Sequence, residues 1–312
     1  MHVESSPPVA RGRPLEVSGA TVRRLALASA LSLYLIVISG AAVRLTASGL
    51  GCESWPGCEP GSFFPASGHH SWVEFGNRAM ALFPLSLTLA TWLAAWRSRA
   101  VSGWVTGLAA VTCLGTFGQA PLGLVTITSG LHPLLVMSHF LLALVVLATG
   151  LIVAVEAWSA DRGRAEPLVS LTARRAGLVV TGACAVLVVT GAFATAAGPH
   201  PGSSAEVRRM GNLIEAMWVH VRASAVFGIV LAGLVGYLVA RRRHVPRLLG
   251  PAGLLLGLVV VQVVVGEVQW RTRLPWGLVL VHVSLAAAIW AATVLLTYLL
   301  WRPPAAMAGR RP

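Results

Sequence analysis

The sequence predicts an all-α membrane protein, with eight transmembrane helices forming two repeated four-helix bundles and both termini cytoplasmic. Three observations lead there. Of 312 residues, 56% are hydrophobic and only 11% are charged, against roughly 25% charged in a soluble domain. Eight apolar stretches have the length of about 20 residues that a bilayer-spanning helix needs. A single shift of 143 residues lays polar positions of the second half onto the first. A chain of this composition cannot cover a water-facing surface. Soluble enzymes, disordered chains and secreted disulfide scaffolds are excluded.

Residues 1–24, rich in Pro, Gly and Arg, read as a disordered cytoplasmic leader. The spans follow at 25–43, 74–96, 102–125, 134–157, 176–196, 216–240, 248–268 and 277–301. The first is too long for a signal peptide and lies behind the polar leader. The first four spans give an N-terminal bundle, 25–157, and the last four a C-terminal bundle, 176–301. A polar cytoplasmic linker, 158–175, joins them, and a tail, 302–312, ends the chain.

All 24 basic residues are arginine, and the net charge is +13. In a soluble protein that balance would suggest nucleic acid. Here the arginines cluster between apolar stretches, so topology explains them and no nucleic-acid partner is expected. Seventeen lie in the leader, the second-to-third and sixth-to-seventh connections, the linker and the tail. The positive-inside rule makes that side cytoplasmic. The outer segments are then 44–73, 126–133, 197–215 and 269–276.

The repeat places Gln119 on Gln262, Gly123 on Gly266, Leu131 on Leu274, His139 on His282 and Asn77 on His220. Val37 and Gly40 match Val188 and Gly191 at a different offset. Asn77, His139, His220 and His282 all lie near the outer starts of their helices, at one level. Two level imidazoles on facing helices suit the axial positions of a haem iron, with the macrocycle in the bundle core. His220 and His282 supply such a pair; the first half has His139, with Asn77 in place of a partner. A lone intramembrane histidine also serves as a helix-packing hydrogen bonder. Ionisable groups in a membrane nonetheless mark function by default, and three at one level favour haem. Zinc would want further ligands close by, and the sequence offers none.

Glu74 lies on the face of Asn77. It reads either as an interfacial carboxylate paired with an arginine or as a proton acceptor or charge stabiliser beside the cofactor. Arg44 and Arg78 are candidate partners for haem propionates, with ordinary snorkelling as the alternative. Cys52 and Cys58 flank Trp55-Pro56-Gly57 in an outer loop, where disulfides are permitted. A structural disulfide and a redox-active pair are both open. Cys113 and Cys184, mid-span, read as inert core residues, and His69 and His70 as solvated loop residues.

These residues resemble the haem A synthase family of membrane haem oxidases. The resemblance rests on Gly40-Ala-Ala-Val-Arg-Leu-Thr-Ala-Ser-Gly-Leu-Gly-Cys52, Trp55-Pro56, Cys58, Val73-Glu74-Phe-Gly-Asn-Arg78, Gly198-Pro199-His200-Pro-Gly202 and the three histidine helices. It implies a two-step oxidation of a haem O methyl group to the formyl group of haem A, for cytochrome oxidase maturation in the cell membrane. It further implies a resident haem b between His220 and His282, and a substrate site holding Glu74 and His139. The pair Cys52 and Cys58 matches one associated with activity. Asn77 departs from the many members that carry His there, which leaves His139 as the one imidazole for the substrate iron. The partners implied are the bilayer, haem O and an electron acceptor of unspecified kind. Docking to a haem O-forming enzyme and self-association are left open. The strongest rival is a bis-His haem b electron carrier that does not modify haem. A repeat-built transporter would want broken helices, whereas these spans read as continuous.

Overall fold

The computed structural model describes residues 16–66, 68–160, 163–204 and 207–307. Among them eight helices or helix pairs are long and apolar enough to cross a membrane, and there is no strand. The protein is a multi-pass membrane protein. Large apolar side chains such as Leu31, Phe83, Val111 and Ile229 stand exposed on the outside of the spans. Lipid solvates such a surface where water would not.

Helix α1, Gly19–Leu45, starts before the apolar run, because the Ser18 hydroxyl accepts from Thr21 N and caps it. The predicted leader is therefore corrected at its end: residues 19–24 are helical. Its first fifteen residues lie outside the described ones, as do residues 308–312 of the predicted tail. The second span is two helices, α2, His69–Met80, and α3, Leu82–Trp96, separated at Ala81. Pro84 has no N–H for the Met80 carbonyl and crowds it, which breaks the ladder there. The expectation of continuous spans fails at this point. His69 and His70, expected in a loop, form the first turn of α2, and His70 Nδ1 lies 2.9 Å from the Ser48 hydroxyl.

Helices α4, Gly103–Thr128, and α5, Pro133–Ser159, complete the first half. The connection to α6, Leu171–Ala197, is shorter than predicted at both ends, since Ser170 caps α6 through Ala173 N. Helices α7, Leu213–Ala240, α8, Leu249–Arg271, and α9, Trp276–Trp301, follow. Helix α1 packs on α3 and α5, and α4 on α3 and α5. In the second half α6 packs on α7 and α9, and α8 on α9. Contacts of α9 with α1 and α5, and of α5 with α6, join the halves.

Around the α4–α5 and α8–α9 turns, positions 143 apart keep the same local structure. Helices α4 and α8 end at Thr128 and Arg271, and α5 and α9 begin at Pro133 and Trp276. Leu131 and Leu274 both have φ 58° in the intervening turns. Their N–H groups donate back to Thr126 O and Gln269 O. The Gln119 and Gln262 amides reach the carbonyls of His139 and His282, at 3.4 and 3.0 Å.

The loops predicted to be outer meet at one end of the molecule. Gly49 N donates to Gly202 O, Arg44 to His200 O, and His200 Nε2 lies 2.8 Å from Leu274 O. At the other end the inter-half connection pairs with the tail, through Ala165 N to Pro303 O and Ala305 N to Gly163 O. The α2, α5, α7 and α9 N-termini share the first end.

Candidate functional site

Asn77 lies eight residues into α2, His139 six into α5, His220 seven into α7 and His282 six into α9. At 1.5 Å per residue all four sit about 9–12 Å inside their helix starts. They line one continuous cavity of about 1070 Å³ that runs through both halves, together with Arg44, Glu74, Arg78, Gln119 and Gln262. Apolar side chains such as Phe140, Leu187, Val188 and Val279 make most of its wall. Ordinary small-molecule sites occupy roughly 300–1,000 Å³, so the space suits a ligand larger than a typical metabolite.

Each histidine ring lies on a glycine of the neighbouring helix. A Cβ at Gly191 would meet His220 Cε1 at 3.0 Å, one at Gly266 would meet His282 Cε1 at 3.2 Å, and one at Gly123 would meet His139 Cε1 at 3.4 Å. The three glycines make room for the rings. Thr190 then fixes the state of His220. Its hydroxyl donates its proton to Leu187 O and lies 3.2 Å from His220 Nδ1. The hydroxyl oxygen must accept there, so Nδ1 carries the proton and Nε2 keeps a lone pair.

The His220 and His282 rings have centroids 6.4 Å apart. Two metal–imidazole bonds of about 2 Å, plus about 1.1 Å from each nitrogen to its ring centre, separate centroids by roughly 6 Å. Among the described residues no group of three or more His, Cys, Asp and Glu side chains could hold a metal ion. A porphyrin supplies four equatorial nitrogens and needs only the two axial ligands. The paired imidazoles and apolar walls therefore fit a haem.

Glu74 is buried in the wall of the first half. Its Oε1 takes a 2.5 Å salt bridge from Arg78 one turn later, and its Oε2 accepts from Cys52 N at 2.9 Å. Arg78 also donates to Ser54 O and Gly57 O. It braces the loop as well as the carboxylate, which limits it as a propionate partner. Arg44 donates to His200 O and Thr195 O, through Nε and one Nη, across the two halves. Its other Nη takes no partner among the described residues. Cys52 and Cys58 form a disulfide, both sulfurs buried against Phe75 of α2. Cys113 and Cys184 are free and buried.

Two residues that the sequence reading missed stand here, Thr190 and Ser39. Ser39 donates to Asn77 Oδ1 at 2.7 Å. The signal was available as a paired pattern, Val37-Ile-Ser39-Gly40 against Val188-Val-Thr190-Gly191.

A family model described as COX15-CtaA, cytochrome oxidase assembly protein, matches residues 23–71 and 64–294. The chain belongs to this family. Among its relatives, the heme A synthase of Shewanella oneidensis is 27% identical over 314 residues, covering 86% of this chain and 93% of that protein. The heme A synthases of Bacillus licheniformis and Bacillus pumilus are each 29% identical, over 141 and 143 residues. Those two alignments cover 45% of this chain, and the chain spans about half the length of each relative, 46%. The rival reading as an electron carrier finds no support among these COX15-CtaA relatives.

Proposed function

We propose that this COX15-CtaA protein is a haem A synthase that oxidises a methyl group of haem O to the formyl group of haem A in two steps. Residues 25–157 and 176–301 would form the substrate and resident-haem bundles of a repeat. The observation that carries the reading is the continuous cavity with His139 in its first half and the facing rings of His220 and His282 in its second. The relatives' name, heme A synthase, supports the product.

In the second half His220 and His282 would hold a resident haem b, which supplies one-electron redox chemistry when bound. Thr190, by holding the His220 Nδ1 proton, would leave the Nε2 lone pair available to that haem. In the first half His139 orients the substrate through its iron. Glu74, anchored by Arg78 and Cys52 N, presents a carboxylate at the cavity wall and accepts a proton or stabilises positive charge near the reacting methyl. Its two anchoring bonds leave lone pairs on both oxygens. The free Nη of Arg44 is the better placed donor for a propionate, with Arg78 secondary. The arginine distribution supports cytoplasmic termini, with the cavity toward the extracytoplasmic side of what would be the plasma membrane.

The test is pigment extraction from purified protein and from a Glu74→Gln variant. The parent should carry haem B with haem O or A. The variant should hold haem O and form at least tenfold less haem A. Haem B alone in the parent would return the electron-carrier reading, and a normal haem A yield in the variant would remove Glu74 from the chemistry.

A further inference from the structure

The two halves differ at one point that bears on what the first can bind. In the second half the Thr190–Gly191 step of α6 receives the His220 ring, 3.0 Å from where a Gly191 Cβ would stand. In the first half the corresponding step is Ser39–Gly40 of α1, and it receives Asn77. A Cβ at Gly40 would meet nothing within 4 Å. Gly40 and Asn77 both line the cavity. The volume an imidazole fills in one half is therefore open in the other.

The amide is also oriented. Ser39 has one hydroxyl proton, and its contact with Asn77 Oδ1, at 2.7 Å, is shorter than that with Ile36 O, at 3.2 Å. Oδ1 accepts that proton. Nδ2 then keeps both protons and has no protein partner among the described residues. An amide NH2 donates hydrogen bonds and has no lone pair free for a metal.

We infer that Asn77, held by Ser39, is a hydrogen-bond donor over an open axial position, forming with Gly40 a site for a small neutral ligand. The ligand class is water-sized or diatomic with an acceptor atom. Polarity, donors and steric access on the distal side decide whether a haem iron takes such a ligand. The inference rests on the proposed substrate site, with His139 as the other axial group, and contrasts with the closed pair of His220 and His282.

Carbon monoxide is the probe, titrated into dithionite-reduced, haem-loaded full-length protein. One haem population should bind it while a second stays low-spin and unreactive. Asn77→His should fill the space, weaken carbon monoxide binding at least tenfold and add low-spin absorbance. Asn77→Leu should retain binding but raise the C–O stretching frequency, because the donor beside the ligand is gone. A haem-loaded parent inert to carbon monoxide, undiminished binding in Asn77→His, or an unshifted stretch in Asn77→Leu would each overturn the inference. A parent that takes up no haem would instead undo the proposed function itself.

Discussion

Glu74 and Arg78 are one turn apart, whereas the sequence put Glu74 on the face of Asn77 and left its arginine partner unnamed. What spacing could not tell is that Arg78 also grips the carbonyls of Ser54 and Gly57, because that contact depends on how a loop folds back. The pair is buried, with side-chain exposures of 4% for Glu74 and 15% for Arg78. Removing one partner of a buried ion pair leaves an uncompensated charge and costs about 3–5 kcal/mol. Arg78→Gln should therefore lower the thermal midpoint more than Glu74→Gln does. The double variant should recover part of the loss, and a double-mutant cycle by thermal melting measures the coupling. Thr190 acts at the same scale. Groups that orient a ligating histidine typically contribute 10–100-fold to metal affinity. Thr190→Val should weaken retention of the low-spin haem by about that range, while Thr190→Ser should restore it. Haem loss to an apo-globin acceptor, followed by absorbance, reads the difference.

At the scale of elements, hydropathy revealed every span, because a lipid-facing helix is apolar on all sides. It did not reveal the break at Ala81, since the residues around the break are as apolar as those in the helices. Pro84 was the local sign. The break leaves α2, which carries Glu74, Asn77 and Arg78, with little packing on α3. Beyond α1, which bonds Asn77 through Ser39, residues 46–66 hold it: the disulfide beneath Phe75, Cys52 N on Glu74 and the carbonyls on Arg78. The helix and the loop are therefore one unit. Replacing Cys52 and Cys58 together by serine should leave the spans inserted but raise amide hydrogen exchange in α2 and loop 52–66. Haem A formation should fall in the same preparation. Unchanged exchange in α2 would show that the Arg78 contacts suffice alone.

For the molecule as a whole, the question is whether the two halves act separately. The sequence reading placed the join in the linker, a local feature; the contacts that matter are between residues far apart in the chain. Inside the membrane the Tyr34 hydroxyl donates to Ser284 O and the Trp290 indole to Leu144 O, at 3.1 and 2.9 Å. Leu33, Val37, Leu144, Leu147 and Ala287 form a buried cluster around these bonds. Arg44 ties the halves at one end. At the other, buried Glu156 meets Arg164, Arg302 and the Tyr298 hydroxyl. The cavity itself runs across this interface. A structure tied at both ends and in the middle should lose both haem environments in one transition, as cooperative units do. Tryptophan fluorescence and low-spin haem absorbance should then share a midpoint on heating. A buried hydrogen bond contributes about 0.5–1.5 kcal/mol, so Trp290→Phe should shift the two signals down together by a few degrees. Two separated midpoints, with only the fluorescence moved by the substitution, would mean that the halves melt independently and that the shared cavity is no more than proximity.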